Sequence, residues 1–247
     1  MKAVLKLTKI FILVLLTACN SAEDDKFSLT GSIQNAGEST LIEMYEGETL
    51  VDTIPLDDQG QFYYEGNAPH AVLYTLVVGQ RPFLLVVNNG EKVEFKADLK
   101  DPGNYMVEGS ATSAKMKELD SITENFRQQH NNLQKEFERR MSNGEESSAI
   151  QHELTTKNQG YIRELSARVL PFSMENKDNL AGFYGMLTLY SIDPTGHEEE
   201  MIRYMEDIKD NFQENEEVRH FAARMEEKIC ADPHWRSFWK TAYDRMK

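Results

Sequence analysis

The fold of the first half of this chain is decided by residues 83–96, FLLVVNNGEKVEFK. The first five of these residues are all apolar, which is typical of a strand covered on both faces. The last four alternate between apolar and charged side chains, which is typical of a strand with one wet face. Asn88-Asn89-Gly90 stands between the two runs and is a hairpin signal. The stretch therefore predicts two neighbouring antiparallel strands.

The same pattern extends over residues 26–109, where short apolar or β-branched runs alternate with turn residues. The predicted strands are Phe27–Ile33, Thr40–Tyr45, Leu50–Ile54, Gln61–Glu65, Val72–Val78, Phe83–Val87, Lys92–Lys96 and Tyr105–Val107. Many short strands joined by tight turns predict an antiparallel β-sandwich or barrel-like domain over residues 26–109.

From Ser110 onward the apolar residues recur with the period of a helix. One long helix is predicted from about Ala111 to Met141, followed by a break at Asn143-Gly144. A second long helix is predicted to end at Pro171. Two long helices joined by a short turn predict an antiparallel helix hairpin.

The last third of the chain predicts shorter helices with a single apolar face each. The first is expected to start at a capping box, Thr195-Gly196-His197-Glu198. Such helices must stack on something, so residues 110–247 are predicted to form an α-helical domain with a hairpin and a short helical array. The fold class predicted for the whole chain is α+β.

The first nineteen residues predict export. Three lysines precede or enter a short apolar run, and small residues follow it, as in a secretory signal peptide covering residues 1–18. Leu16-Thr17-Ala18-Cys19 resembles the lipobox of bacterial lipoproteins, and this resemblance implies cleavage before Cys19 and a lipid on its sulfur. Residues 19–25 are polar and acidic, and we expect a flexible tether.

The predicted location is the cell envelope, as an outer-membrane lipoprotein held by acylated Cys19. The acidic triplet Glu23-Asp24-Asp25 resembles an export signal for the outer face of the outer membrane, and an ordinary solvated linker is the alternative. The sequence leaves open which face carries the protein.

The charge of the chain disfavours two classes of partner. The formal net charge is −14, and removal of the three signal-peptide lysines brings the mature chain to −17. Such a surface repels nucleic-acid phosphates and anionic lipid headgroups, so nucleic-acid binding is not expected.

Four phrases of the β-rich half carry a family resemblance: FSLTGSI at 27–33, DDQGQF at 57–62, FLLVVNNGE at 83–91 and VEGS at 107–110. Their order resembles the N-terminal domain of unknown function of lipoproteins that carry a thioredoxin-like module. In that family the β-rich domain precedes a helical connector and a thiol–disulfide oxidoreductase or peroxiredoxin-like module. The resemblance covers residues 26–110 and implies an anchored β-domain with a helical spacer.

The chemistry of that family is not expected here. The chain contains no Cys-x-x-Cys, and thioredoxin chemistry needs an attacking and a resolving thiol. Cys19 and Cys230 are the only cysteines. Cys230 is expected to be a small buried residue, although a reactive lone thiol remains an alternative.

No catalytic or metal-binding motif emerges from the remaining residues, so we expect no enzyme activity, no cofactor and no metal. The histidines show no zinc spacing. We expect His130 to be half-buried and His220 to belong to a helix-surface charge ladder with Glu216 and Arg224. The run His197–Glu200 could hold a cation, but adjacent helical residues point in different directions.

The best candidate for partner docking is an aromatic cluster near the end of the chain, formed by Trp235, Phe238, Trp239 and Tyr243. Trp and Tyr are enriched at binding hot spots. The alternative, which we favour, is that these side chains close the helical array. Tyr63, Tyr64 and Tyr74 could bind sugars or peptides if exposed, but most are expected to pack.

The sequence thus predicts a non-catalytic, lipid-anchored interaction or scaffold module of the cell envelope, with unknown oligomeric state and partner. Two alternatives stay open. The first is an accessory role beside a separate thioredoxin-like protein, and the second is carbohydrate or peptide binding.

Overall fold

The computed structural model describes residues 25–231, and side chains as far as Lys228. The strands are β1 Phe27–Gln34, β2 Leu41–Glu46, β3 Thr49–Pro55, β4 Gln61–Gly66, β5 Val72–Val78, β6 Arg81–Val87, β7 Lys92–Asp98 and β8 Met106–Glu108. The helices are α1 Ala111–Ser142, α2 Ser147–Glu175, α3 Leu180–Ile192, α4 Glu198–Ile208 and α5 Glu216–Ala231. The predicted α+β class, with strands first and helices after, is confirmed.

The strands form two four-stranded sheets, ordered β4-β1-β7-β8 and β3-β2-β5-β6. Their inner faces share one apolar core, in which Leu29, Ile42, Leu76 and Phe95 are fully buried. The alternating run of β7 buries Val93 and Phe95 and leaves Glu94 and Lys96 outside, as the sequence predicts. Pairing is antiparallel except between β1 and β7, which run parallel.

The predicted hairpin at Asn88-Asn89-Gly90 is wrong. β6 pairs with β5 in one sheet, whereas β7 pairs with β1 and β8 in the other. The turn forms, but its contacts are to other segments: the Gly90 N–H donates to the Lys26 carbonyl at 2.9 Å and the Ala68 N–H donates to Asn89 Oδ1 at 2.6 Å. Because of these long-range hydrogen bonds, the chain crosses from one sheet to the other after β6. A local turn motif does not predict this crossing.

Strand β6 is covered on both faces, as its apolar run predicts. Phe83, Leu85 and Val87 belong to the core between the sheets. Val86 is fully buried on the other side, in a second core that is otherwise formed by the helices. This strand therefore belongs to both cores.

The long helix hairpin is confirmed, with Gly144 at a φ of +80° in the turn. Pro171 does not end α2, which continues to Glu175. Proline removes a backbone donor inside a helix. Because Pro171 is exposed, water can reach the carbonyl that loses its donor.

The predicted capping box at Thr195 is also wrong. Helix α4 begins at Glu198, with His197 in the N-cap position and no side-chain cap bond. The preceding turn is held by Asp193 instead, whose Oδ1 accepts from the Gly196 N–H at 2.9 Å. That carboxylate, five positions before the first residue of α4, closes the turn, and Thr195 is exposed.

Two buried serines join the helices to the sandwich. Val86 lies on β6, the edge strand of its sheet, where backbone groups lack a neighbouring strand. The Ser113 hydroxyl accepts from the Val86 N–H at 2.9 Å and donates to the Val86 carbonyl at 2.6 Å. Ser110, the N-cap of α1, also donates to that carbonyl at 2.7 Å. The start of α1 thus replaces a missing strand.

Candidate functional site

A cleft lies where the second sheet meets the helices. It has a volume of about 640 Å³. The sheet contributes Glu46 from β2 and Thr75 from β5, with His70 just before β5. The helical side contributes Tyr184 of α3 together with Glu217, His220 and Arg224 of α5. We call this site the interdomain cleft, because neither the strands nor the helices form it alone.

Asn215 fixes the helical wall of the cleft. Its Oδ1 accepts from the Val218 N–H at 3.0 Å, which caps the start of α5. Its Nδ2 donates to the carbonyl of Ala71 at 3.2 Å, across 144 positions of sequence. One side chain therefore both starts α5 and attaches it to the approach of β5, so the two walls are held at a fixed separation.

A hydrogen bond between Tyr184 and Glu217 closes one side of the cleft. The Tyr184 hydroxyl donates to Glu217 Oε2 at 2.5 Å. Burial raises the pKa of Tyr184 far above its usual value, and the negative charges of Glu217 and Glu46 add to that effect. Tyr184 consequently stays protonated and keeps Glu217 oriented.

The side chains that line the cleft are mostly charged or polar and can bind a ligand through ion pairs and hydrogen bonds. Carboxylates predominate on its walls, with Glu46 facing from the sheet and Glu214, Glu216 and Glu217 at the start of α5. His220 and Arg224 stand one turn apart on α5, and both line the cleft. The arrangement offers acceptors to a cationic or hydrogen-bonding group.

A second depression is apolar and lies between α1 and α3. It has a volume of about 470 Å³. Its floor is Leu84 of β6, and its walls include Leu119 and Phe126 of α1 with Leu187 and Ile192 of α3. We call it the α1–α3 groove.

Sequence reasoning missed a Ser–His contact between α2 and the start of α4. Ser166 Oγ lies 2.9 Å from Nε2 of His197, whose side chain is buried. The Ser166 hydroxyl donates to the Ile162 carbonyl at 2.8 Å, so the histidine is placed to donate to the serine. Within residues 25–228, Nδ1 of His197 has no hydrogen-bond partner.

This pair lacks the parts of a nucleophilic dyad. An activated serine needs a base that accepts its proton and a third group that orients the base. Here the serine proton points to a helix carbonyl, and Ser166 sits inside a helix. The contact packs α4 against α2, and no sequence motif signals it because the two residues are 31 positions apart.

Most of the sequence-predicted site residues lie outside the described part of the chain. These are Cys19, Trp235, Phe238, Trp239 and Tyr243. Cys230 falls on the backbone of α5, but its side chain is not among those described. Between residues 25 and 231, no helix combines the length and apolar character needed to cross a membrane.

The exposure and packing of the described tyrosines and histidines can be compared with the roles that the sequence analysis considered for them. Of the three tyrosines that the sequence analysis singles out, only Tyr63 is well exposed, at 60 %, while Tyr64 and Tyr74 pack against Phe27. His130, expected to be half-buried, is exposed and stacks on Phe126. In the described range no three His, Cys, Asp or Glu side chains gather as metal ligands would.

Comparison with known proteins identifies one domain. Residues 24–116 contain a domain of unknown function (DUF4369). No curated protein and no solved structure matches the chain. The matched range holds both sheets and the first turns of α1, including Ser110 and Ser113. The predicted domain of unknown function is thereby confirmed, and its association with lipoproteins and thioredoxin-like modules stays a prediction.

Proposed function

We propose that this protein is a lipid-anchored, non-catalytic interaction module of the bacterial cell envelope, and that the interdomain cleft is its binding surface. In this proposal the signal peptide directs export, acylated Cys19 holds the chain at the outer membrane, and residues 19–25 set the distance of the folded part from the lipid. An anchor with two or more acyl chains attaches stably, whereas one chain binds reversibly.

The observation that carries the binding role is the construction of the cleft. Its walls come from β2, β5, α3 and α5, and the Asn215 bonds fix them. A concave surface with a few oriented polar groups is the usual form of a binding site. Glu217, aligned by Tyr184, is such a group.

The charge of the cleft points to a basic partner. Glu46 and Glu217 face it from opposite walls, and the mature chain carries a predicted −17. A strongly acidic surface steers positively charged partners toward it. We therefore propose a protein partner that presents a Lys- or Arg-containing segment.

The anchor is tested with the two cysteines of the chain as a matched pair. Metabolic labelling with a palmitate analogue is expected to label the wild type and Cys230→Ser equally and to leave Cys19→Ser unlabelled. Label on Cys19→Ser, or an unmodified mature terminus by mass spectrometry, would contradict the anchor.

The binding surface is tested by photocrosslinking in intact cells. A photoreactive amino acid at Thr75, in the cleft, is expected to give one discrete protein adduct. The same amino acid at Tyr63, on the outside of the other sheet, is the control and is expected to give none. Glu217→Lys should abolish the Thr75 adduct, because it reverses the charge opposite Glu46.

The outcome also separates the alternatives. An adduct with a thioredoxin-like protein would support the accessory redox role. Equal adducts from Thr75 and Tyr63, or an adduct that survives Glu217→Lys, would refute the cleft as the binding surface.

A further inference from the structure

The α1–α3 groove exposes apolar side chains that the described residues leave uncovered. Leu187 and Ile192 of α3 are half-buried, as is Phe126 of α1. An apolar surface of this kind is normally covered by another segment or partner.

The described part of α5 ends beside the last turn of α3, one of the two helices that wall this groove. Helix α5 runs alongside α3 in the same direction: Phe221 packs on Phe183, with ring centroids 5.9 Å apart, and Lys228 Nζ lies 3.2 Å from the Tyr190 hydroxyl. Tyr190 is two residues before Ile192, which lines the end of the groove. The residues after 231 therefore start within a short reach of that end.

The sequence of residues 232–247 has a hydrophobic pattern and a length that match the α1–α3 groove. Asp232-Pro233 interrupts the helical pattern, and the apolar residues that follow are Trp235, Phe238, Trp239, Ala242 and Met246. This i, i+3, i+4, i+7, i+11 spacing places one apolar stripe on a helix. From Trp235 to Met246 such a helix spans about 17 Å, which equals the rise between Met116 and Arg127, the ends of the α1 wall.

The charges of the segment also fit. Residues 232–247 carry four Lys and Arg side chains but only two Asp, on a chain that is otherwise strongly acidic. Asp120 lines the groove and Glu124 lies one turn further along α1, where both pair with Arg127, so these three side chains keep one net negative charge at the groove. Opposite charges on the two surfaces favour their association.

We propose that residues 234–246 form an amphipathic helix that turns back at Asp232-Pro233 and packs its apolar stripe into the α1–α3 groove of the same chain. The helix runs antiparallel to α3, with Trp235 near Ile192 and Ala242 near Leu187. The aromatic cluster is then an internal element that completes the helical core, and it is unavailable to an outside partner.

Engineered disulfide formation tests this arrangement in the full chain. In a Cys230→Ser background, Thr188→Cys on the groove wall and Ala242→Cys on the stripe are combined and oxidised in intact cells. The control replaces Thr188→Cys by Leu50→Cys, which is exposed on β3.

The expected result is an intramolecular 188–242 disulfide, found by peptide mass spectrometry, with a yield several-fold above the 50–242 control. A disulfide-linked dimer would overturn the proposal in favour of a second copy as the occupant. Equal yields from the two pairs, or no disulfide, would overturn it as well.

Fluorescence provides a second measurement, because Trp235 and Trp239 are the only tryptophans of the chain. Buried tryptophans emit at shorter wavelength and resist acrylamide. We expect protected emission in the wild type and in Leu50→Glu, and a red shift with stronger quenching in Leu187→Glu. Emission typical of exposed tryptophan in the wild type, or no difference between the two variants, would contradict the packing.

Discussion

At the scale of single residues, the joint between strands and helices depends on Ser113. The hydroxyl of this buried side chain satisfies both backbone groups of Val86 on an edge strand. A buried backbone group without a partner costs about 1–3 kcal/mol. Ser113 therefore stabilises the contact between α1 and β6, although it is a small polar residue within an apolar core.

We predict that Ser113→Ala lowers the free energy of unfolding by about 1–3 kcal/mol, because the buried Val86 N–H loses its acceptor, while the Val86 carbonyl keeps its hydrogen bond from Ser110. Urea denaturation measures the change. The control is Ser121→Ala on the exposed side of α1, where the hydroxyl donates to the Lys117 carbonyl at 3.0 Å. That variant should stay within about 0.5 kcal/mol of the wild type, and equal effects of the two substitutions would disprove the role of Ser113.

At the scale of elements, the far end of the α1–α2 hairpin is held by ion pairs. Arg140 contacts Glu153 at 2.7 Å and Glu145 at 2.8 Å, while Lys157 contacts Glu153 at 2.9 Å and Glu136 at 3.2 Å. Below them, Leu133, Ile150 and Leu154 form a small separate apolar cluster. This end of the hairpin buries few apolar side chains, so we expect its ion pairs to make its stability depend on pH.

The hydrogen bond from Arg140, with a further contribution from Lys157, lowers the pKa of Glu153 from 4.5 to about 2. A carboxyl whose folded pKa is lowered stabilises the protein above its unfolded pKa, and this stabilisation disappears as the pH falls through the folded value. We predict that the stability advantage of the wild type over Glu153→Gln is full at pH 7 and declines between pH 4.5 and pH 2.

Urea titrations of both proteins at a series of pH values measure this decline. Glu164→Gln is the control, since Glu164 is exposed on the same helix and makes no ion pair within the described part of the chain. A Glu153→Gln difference that is constant from pH 7 to pH 2 would contradict the prediction. The effect is expected to be modest, because exposed ion pairs are screened by solvent and salt.

At the scale of the whole molecule, β6 links the two cores. Phe83, Leu85 and Val87 fill the sandwich, and Val86 enters the helical core beside Met116 and Leu119. The interdomain cleft is a consequence of this arrangement, since α1 docks on β6 at one edge of the sheet and leaves β2 and β5 to form the cleft wall.

We predict that Val86→Ala destabilises strands and helices together, by about 2 kcal/mol for the buried methyl groups that it removes. Ellipticity at 222 nm reports the helices, and amide exchange of β1 and β7 reports the sandwich. Both are expected to shift by the same free energy. A loss confined to the helices would show that the two cores unfold independently.

The sequence by itself determined the local elements. The alternation in Val93–Lys96 and the all-apolar run Phe83–Val87 predict the observed burial. Successive side chains of a strand point to opposite faces, so the polarity of alternate residues determines which face can contact water. The break at Asn143-Gly144 predicts the helix hairpin for the same local reason.

Only the tertiary structure decided which elements are neighbours. The turn at residues 88–90 is a hairpin by local criteria and a crossing between sheets in the molecule, since bonds to Lys26 and Ala68 fix its path. The interdomain cleft likewise unites Glu46 with Glu217, and no spacing rule connects residues brought together by packing across 171 positions. Hydrophobic periodicity records the face that each element buries, whereas the partner of that face depends on the free energy of the whole packed chain.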